Sequence, residues 1–150
     1  ESVININERR KLNMVKKVQD SVGNLKDKTI SVLGLTFKPN TDDMRESPSL
    51  TIVSELLKLC KKVKVYDPAG MNNAKSMKQF KGVKWSKNTY DCIKDSDAMV
   101  LVTEWNEFRA LDLKKVKNLL KQPIVIDLRN IYSKEFMQEV GINYIGVGRN

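Results

Sequence analysis

The sequence contains no histidine and only two cysteines, Cys60 and Cys92, among its 150 residues. Without histidine, acid–base catalysis by an imidazole is excluded. A zinc site is not expected either, because zinc takes most of its protein ligands from cysteine and histidine. The two cysteines lie far apart, in apolar or amphipathic segments. We therefore predict two buried free thiols in a cytosolic protein and no metal site.

Long apolar runs are also missing. No segment approaches the roughly 20 apolar residues that a membrane-spanning helix requires. The first eight residues lack the charged start and apolar middle of a secretory signal. These absences favour a cytoplasmic protein without a membrane partner. The sequence does not begin with methionine, which we interpret as a start inside a longer protein or after processing.

The glycine pattern Gly-x-Gly-x-x-Gly, which marks many dinucleotide-binding sites, is absent as well. Gly34 stands alone at the end of the first apolar run. We therefore do not expect this chain to contain the main binding site of a dinucleotide cofactor.

Charge is present in excess, with 27 lysines and arginines against 18 aspartates and glutamates, for a net charge of +9. Such a balance attracts nucleic acids, membrane surfaces or phosphorylated ligands. The lysines are scattered along the sequence, and no helix-turn-helix, zinc-finger or aromatic stacking motif accompanies them. We favour a solvated, lysine-rich surface and no nucleic-acid partner. A basic nucleic-acid-binding domain is the alternative, and salt-dependent DNA binding would support it.

Apolar periodicity predicts alternating strands and helices in a chain of one-domain length. Alternation of this kind predicts a parallel sheet covered on both faces by right-handed crossovers. The predicted fold is α/β: a Rossmann-like, doubly wound, mainly parallel sheet of five to six strands with an N-terminal lead-in helix. Strands are predicted at 30–35, 63–66, 83–85, 98–103, 124–128 and 143–147, and helices at 3–23, 48–60, 71–80, 88–94, 105–121 and 133–140.

The loop at 36–46 is unusually rich in charge and leads into a helix start at Ser47-Pro48, where serine caps and proline fits the first helical position. Because the carboxyl ends of parallel strands share one edge of the sheet, Lys38 and Arg45 of this loop should lie near Arg129. Three cations beside a helix N-terminus suit an anionic ligand. The residues alone predict a small ligand that carries phosphate or carboxylate groups.

Structural roles remain as alternatives for the same residues. Arg45 could pair with a neighbouring acid and hold the loop in shape, and Arg129 could form an ion pair with Asp127. The adjacent Asp42 and Asp43 are interpreted as ordering the loop, not as a catalytic pair or a metal site. Trp105 is assigned to packing.

The stretch G-L-T-F-K-P-N-T-D-D-M-R-E-S-P at 34–48 resembles the signature that opens the C-terminal domain of the UDP-glucose/GDP-mannose dehydrogenase family. Further segments resemble the family in the family's order, so the similarity spans essentially the whole chain. They are V-Y-D-P, S-D-A-M-V-L-V-T-E-W-N-E-F, V-I-D-L-R-N and Y-I-G-V-G-R.

The resemblance implies an enzyme that oxidises the C6 alcohol of a nucleotide sugar to a carboxylate in two NAD-dependent steps. It implies that Phe37 and Lys38 contact the nucleotide sugar, that Arg129 is a further substrate contact, and that Arg45 reaches the NAD. The segment T-D-D-M-R-E-S-P favours UDP-glucose as the substrate and UDP-glucuronate as the product. A related GDP-mannose or UDP-N-acetylmannosamine dehydrogenase domain is the alternative, as is a stand-alone module that binds a phosphate ligand.

The family's catalytic segment, Gly-Gly-Ser-Cys-Phe, is absent, and neither Cys60 nor Cys92 has that context. We therefore predict no catalytic residue in this chain and no dehydrogenase activity from it alone. The resemblance assigns residues 1–24 to the end of a central helix that joins two domains and supplies homodimer contacts. It assigns residues 25–150 to the C-terminal domain that binds the UDP-sugar.

Overall fold

The computed structural model describes residues 5–148, in which six strands alternate with seven helices. The strands are β1 Thr29–Leu33, β2 Lys62–Tyr66, β3 Lys84–Trp85, β4 Ala98–Leu101, β5 Ile124–Asp127 and β6 Asn143–Gly146. The helices are α1 Ile6–Val22, α2 Pro48–Leu59, α3 Met71–Lys75, α4 Thr89–Ile93, α5 Asn106–Arg109, α6 Leu113–Leu119 and α7 Lys134–Val140, with a short 3-10 helix at Lys78–Phe80.

The strands form one sheet in the order β3-β2-β1-β4-β5-β6, and every neighbouring pair is parallel. The order reverses direction between β1 and β4, and this is the place where ligands bind in doubly wound sheets. The predicted fold class is confirmed, with six strands and a wholly parallel sheet.

Two apolar clusters cover the two faces of the sheet because strand side chains alternate in direction. Ile30 and Val32 of β1 belong to one cluster, with α1 and α2 packed over it. Leu33 belongs to the other cluster, which α4, α6 and α7 cover. Strands buried on both faces read as continuous apolar runs, which is why the sequence revealed them.

Helix α1 packs against α2 and β5 and buries Val15 and Val18 completely or almost completely. It begins at Ile6, after Asn5 accepts a hydrogen bond from the Glu8 backbone N–H at 2.8 Å. The helix therefore covers one face of the sheet. The predicted helix start at Val3 lies outside the described residues, as does Arg149 of the closing segment.

The prediction of one helix from residue 105 onward is wrong. The chain forms α5, leaves the helical path, and starts α6 anew at Asp112. The carboxylate of Asp112 accepts hydrogen bonds from the backbone N–H groups of Lys114 and Lys115, which makes it an N-cap. An aspartate inside an apolar periodic pattern can cap a second helix, and the periodicity alone does not show it.

The predicted helix at 71–80 is also divided, into α3 and the 3-10 helix. Most other elements differ from prediction by one or two residues at their ends, as local assignment usually does. No helix among residues 5–148 has both the length and the apolar character needed to cross a membrane.

The two cysteines are free, as predicted, but only Cys92 is fully buried. Cys60 follows the last residue of α2, not within the helix as predicted, and is partly exposed. Burial raises the pKa of the Cys60 thiol to about 12 and that of the Cys92 thiol to about 11. Both therefore stay protonated at neutral pH, where a thiol is a poor nucleophile.

Candidate binding site at the carboxyl edge of the sheet

The loop that follows β1 is tied to the strand end before it enters α2. The hydroxyls of Ser47 and Ser49 both donate hydrogen bonds to the Leu35 carbonyl oxygen at 2.6 Å. The Phe37 backbone N–H donates to the Asp43 carbonyl oxygen at 2.9 Å and closes the loop on itself. Local sequence thus gives this long loop a fixed shape beside the N-terminus of α2.

Asp67, at the end of β2, fixes the start of this loop from the neighbouring strand. One carboxylate oxygen accepts from the backbone N–H groups of Leu35, at 2.6 Å, and Thr36, at 3.1 Å. The other accepts from the backbone N–H groups of Ala69 and Gly70 at 2.8 and 2.7 Å. Asp67 therefore has a structural role at this edge of the sheet.

Asp127, at the end of β5, has the same function for the loop that carries Arg129. Its carboxylate accepts from the backbone N–H groups of Arg129, Ile131 and Tyr132 and from the Tyr144 hydroxyl. The alternative in which Asp127 pairs with the Arg129 guanidinium is wrong. Asp127 instead holds the backbone from which Arg129 projects.

The guanidinium of Arg129 pairs with Glu104, from the loop after β4. Its Nε and Nη2 atoms donate to one oxygen of Glu104 at 3.1 and 2.8 Å. The other oxygen, Oε1, is buried and has no hydrogen-bond partner within residues 5–148. Burial alone would raise the pKa of Glu104, but the hydrogen bond from Arg129 and further favourable interactions, including the charge of Arg109, hold it below the ordinary value.

Arg45 pairs with Asp43 of its own loop, as the structural alternative for this residue predicted. The Nε and Nη2 atoms of Arg45 each lie 3.1 Å from a different oxygen of Asp43. Hydrogen bonds from Arg45 lower the pKa of Asp43, and the same pairing raises the pKa of Arg45. The Arg45 side chain is 89% exposed, so the pair still presents its cation to solvent.

Phe37 and Arg129 line a single cavity of about 490 Å³. Glu46 and Pro48, at the start of α2, form part of the same wall. Phe37 is one of the few large apolar residues exposed in the described chain, at 49%. Two predicted ligand contacts, from loops 92 residues apart in sequence, therefore share one concave surface.

Arg45 lies in an adjoining depression of about 320 Å³, which Phe37, Asp43 and Glu46 also line. Lys38 is exposed on the same loop and lines neither space. Its charge contributes to lowering the pKa of Asp43. Within residues 5–148 its ammonium has no hydrogen-bond or ion-pair partner.

Helix α1 supplies part of the cavity wall, which the sequence reasoning missed. The lining includes Asn7, Arg10 and Lys11. Lys11 is paired with Glu8 at 3.2 Å, whereas Arg10 is exposed. The signal that could have found them is the run Arg9-Arg10-Lys11, three consecutive cations in one turn of the helix. These cations add to the positive character of the site.

Residues 31–134 match the model of the UDP binding domain of the UDP-glucose/GDP-mannose dehydrogenase family. The chain belongs to this family. It is 43% identical over 150 residues to the UDP-glucose 6-dehydrogenase of Rhizobium meliloti (strain 1021), covering 99% of this chain and 34% of that protein. It is 42% identical over 149 residues to a UDP-glucose 6-dehydrogenase of Bacillus subtilis (strain 168), covering 99% of this chain and 32% of that one.

A solved relative supports the fold of this family member. The UDP-glucose dehydrogenase of the archaeon Pyrobaculum islandicum superposes with a TM-score of 0.77 at 28% identity, over 96% of this chain and 31% of that one. The chain thus spans about a third of the length of the curated relatives it matches. The family match confirms the resemblance stated from the loop at 34–48.

Proposed function

We propose that this chain is the nucleotide-sugar-binding domain of an NAD-dependent UDP-glucose 6-dehydrogenase, which oxidises UDP-glucose to UDP-glucuronate. The observation that carries the proposal is the cavity shared by Phe37 and Arg129. Its volume of about 490 Å³ falls in the range of roughly 300–1,000 Å³ typical of small-ligand sites. The cations around it suit the diphosphate of a nucleotide sugar.

Arg129 is the residue to which we assign the diphosphate. Two of its nitrogen atoms, Nε and Nη2, donate to Glu104. A guanidinium has five N–H donors, so the group keeps N–H bonds to offer a phosphate oxygen. Glu104 fixes the direction of that guanidinium and is therefore a positioning residue.

Phe37 offers an apolar surface next to this charge. A half-exposed phenyl ring on an ordered loop gains free energy when a ligand covers it, so we assign Phe37 to the sugar or the base. Lys38, which has no partner in the described chain, is assigned to the ligand's negative charge. We propose that the whole protein is a homodimer in which α1 contributes contacts.

The loop after β1 does not fit the pyrophosphate of a dinucleotide. The space beside Gly34, where a phosphate would approach in a glycine-rich loop, is filled by Thr103: a Cβ on Gly34 would lie 2.6 Å from its backbone nitrogen. We therefore derive no hydride-transfer step from these residues. For NAD we propose only an outer contact, made by the exposed guanidinium of Arg45.

Isothermal titration of this chain with UDP, UDP-glucose, GDP-mannose and inorganic pyrophosphate tests the proposal. We expect binding that is selective for the uridine ligands and about tenfold weaker in Arg129→Ala, because a charge-assisted contact to phosphate is lost. Lys38→Ala should weaken binding in the same direction. Lys114→Ala, which removes an exposed lysine of α6, should leave binding unchanged.

Other outcomes of the titration contradict the proposal in distinct ways. Tighter binding of GDP-mannose would assign the domain to the alternative substrate. Equal affinity for UDP and inorganic pyrophosphate would favour the stand-alone phosphate-binding module. Reduction of NAD by this chain with UDP-glucose would overturn the prediction that it contains no catalytic residue.

A second experiment tests the pair of Glu104 and Arg129 through its pH dependence. A carboxyl group whose pKa is lowered on folding stabilises the protein above its unfolded-state pKa, here 4.5, and this contribution is lost as the pH falls through the lower folded-state value. We expect Glu104→Gln to lower the free energy of unfolding at pH 7 by less than about 1 kcal/mol, because the pair is partly solvated. Urea unfolding at pH 7 and at pH 3 measures the difference, which should be smaller at the lower pH.

Glu104→Gln should also weaken UDP binding at pH 7, since the guanidinium of Arg129 is no longer held by a carboxylate. A purely structural role for Glu104 would change the unfolding curve and leave the UDP affinity as it was. Combining Glu104→Gln with Arg129→Ala should add little to the loss from Arg129→Ala alone.

A further inference from the structure

The opposite edge of the sheet, where the strands begin, gathers lysines that are far apart in sequence. A pocket of about 340 Å³ lies there, and we call it the amino-edge pocket. Thr29, Asp91 and Asp95 form part of its wall. Six lysines form the rest: Lys61, Lys62, Lys64, Lys84, Lys94 and Lys121. The lysines that are scattered along the sequence are therefore, in part, concentrated by the fold.

Lys64 lies at the base of this cluster and is only 9% exposed. Its ammonium donates to the backbone carbonyl oxygens of Asp91 and Lys94 at 2.9 and 2.7 Å. An ammonium has three N–H donors, so one remains for another acceptor. The two carbonyls hold the charge in place at the pocket.

The neighbouring strand adds a second charge beside the first. Lys64 of β2 and Lys84 of β3 are register partners in the sheet. Like charges side by side on paired strands destabilise the pair. An anion bound between them would remove this repulsion, so the arrangement favours a ligand that carries several negative charges.

The two aspartates offset only part of the cluster's charge, because they stabilise the ammonium of Lys64 without forming an ion pair with it. The Asp91 carboxylate accepts a hydrogen bond from the Lys87 backbone N–H at 3.2 Å, which turns it toward the start of α4. Asp95 is exposed. In the part of the chain that the structure describes, none of the six lysines forms an ion pair.

We propose that the amino-edge pocket binds a polyphosphate chain, either inorganic or as the triphosphate of a nucleotide. Lysine ammonium groups are compact, strongly hydrated charges that bind phosphate oxygens without the planar geometry that arginine imposes. Six of them around a small concave space match a chain of charged phosphates better than a single carboxylate. The pocket is at the edge of the sheet opposite the cavity of Phe37 and Arg129, so both sites can be occupied together.

The test is isothermal titration of this chain with inorganic tripolyphosphate and with ATP. The variant Lys62→Gln/Lys84→Gln/Lys94→Gln removes three exposed charges of the pocket and retains the buried Lys64. We expect it to bind tripolyphosphate about tenfold more weakly or worse. Raising the salt concentration should weaken binding to the unaltered chain, because these charges are screened.

The matched control is Lys78→Gln/Lys114→Gln/Lys115→Gln, which removes the same charge from other surfaces of the molecule. It should bind tripolyphosphate as the unaltered chain does. An equal loss in both triple variants, or no binding to the unaltered chain, would overturn the proposal. Binding of ATP equal to that of tripolyphosphate would assign recognition to the phosphates alone, and tighter binding of ATP would assign it to a nucleotide.

The proposal is independent of the function proposed for the carboxyl edge. Arg129→Ala should lose UDP affinity and retain tripolyphosphate binding, whereas the triple variant of the pocket should show the reverse. Loss of both ligands in either variant would mean that a single site binds both, and the amino-edge pocket would then not be a separate site.

Discussion

Replacing Asp67 by alanine is expected to lower the free energy of unfolding by about 4 kcal/mol. Asp67 is 1% exposed and accepts hydrogen bonds from the backbone N–H groups of Leu35, Thr36, Ala69 and Gly70. Alanine would leave the N–H groups of Leu35, Thr36 and Gly70 buried without an acceptor, and each unsatisfied donor has a desolvation cost. Urea unfolding followed by circular dichroism measures the loss.

The control for this prediction is Asp112→Ala, the N-cap of α6. Its carboxylate also accepts from two backbone N–H groups, at 3.1 and 3.2 Å, but in an exposed setting where water can replace it. We expect a loss of about 1 kcal/mol. A loss in Asp67→Ala no larger than this would show that the buried carboxylate does not hold the β1 and β2 loops together.

The second large effect is expected for Gly34→Ala, with a loss of about 3–5 kcal/mol in the free energy of unfolding. Gly34 has a φ of +93°, which side chains of L-residues rarely adopt. A Cβ at this position would also lie 2.6 Å from the backbone nitrogen and 2.9 Å from the Cα of Thr103. These are backbone atoms of the loop that follows β4, the strand paired with β1. The ends of β1 and β4 would therefore have to move apart.

Gly23→Ala separates the two contributions to this loss. Gly23 has a similar φ of +95°, but a Cβ there would meet nothing within 4 Å. We expect only the cost of backbone strain, about 1–3 kcal/mol. Thermal unfolding of both variants measures the difference between them, and equal losses would show that the contact with Thr103 has no cost. Gly34→Ala should also weaken UDP binding, since the loop that carries Phe37 starts there.

The contact between Gly34 and Thr103 also explains a feature of the sequence. The sequence separated the lone glycine after the first strand from the dinucleotide fingerprint, but it did not predict what this glycine does. The close approach involves residues 69 positions apart, and no local pattern reports it.

The same limit applies to the carboxylates of Asp67 and Asp127. The sequence could not show that these carboxylates bind backbone N–H groups and not a ligand.

Local chemistry determined a large part of this protein from the sequence alone. Apolar runs fixed the strands, Ser47-Pro48 fixed the start of α2, and the segment at 34–48 indicated the family. These features depend on residues within a few positions of one another, whose backbone preferences and periodicity are readable directly. The split at Asp112 was missed because one residue can belong to either of two periodic patterns.

Only the tertiary structure decided which distant side chains meet. It paired Arg129 with Glu104, placed Phe37 and Arg129 on one cavity wall, added Arg10 of α1 to that wall, and drew six lysines into the amino-edge pocket. The physical reason is the order of the sheet. Parallel strands bring all their beginnings to one edge and all their ends to the other, and the neighbours at each edge depend on strand order, not on distance along the chain.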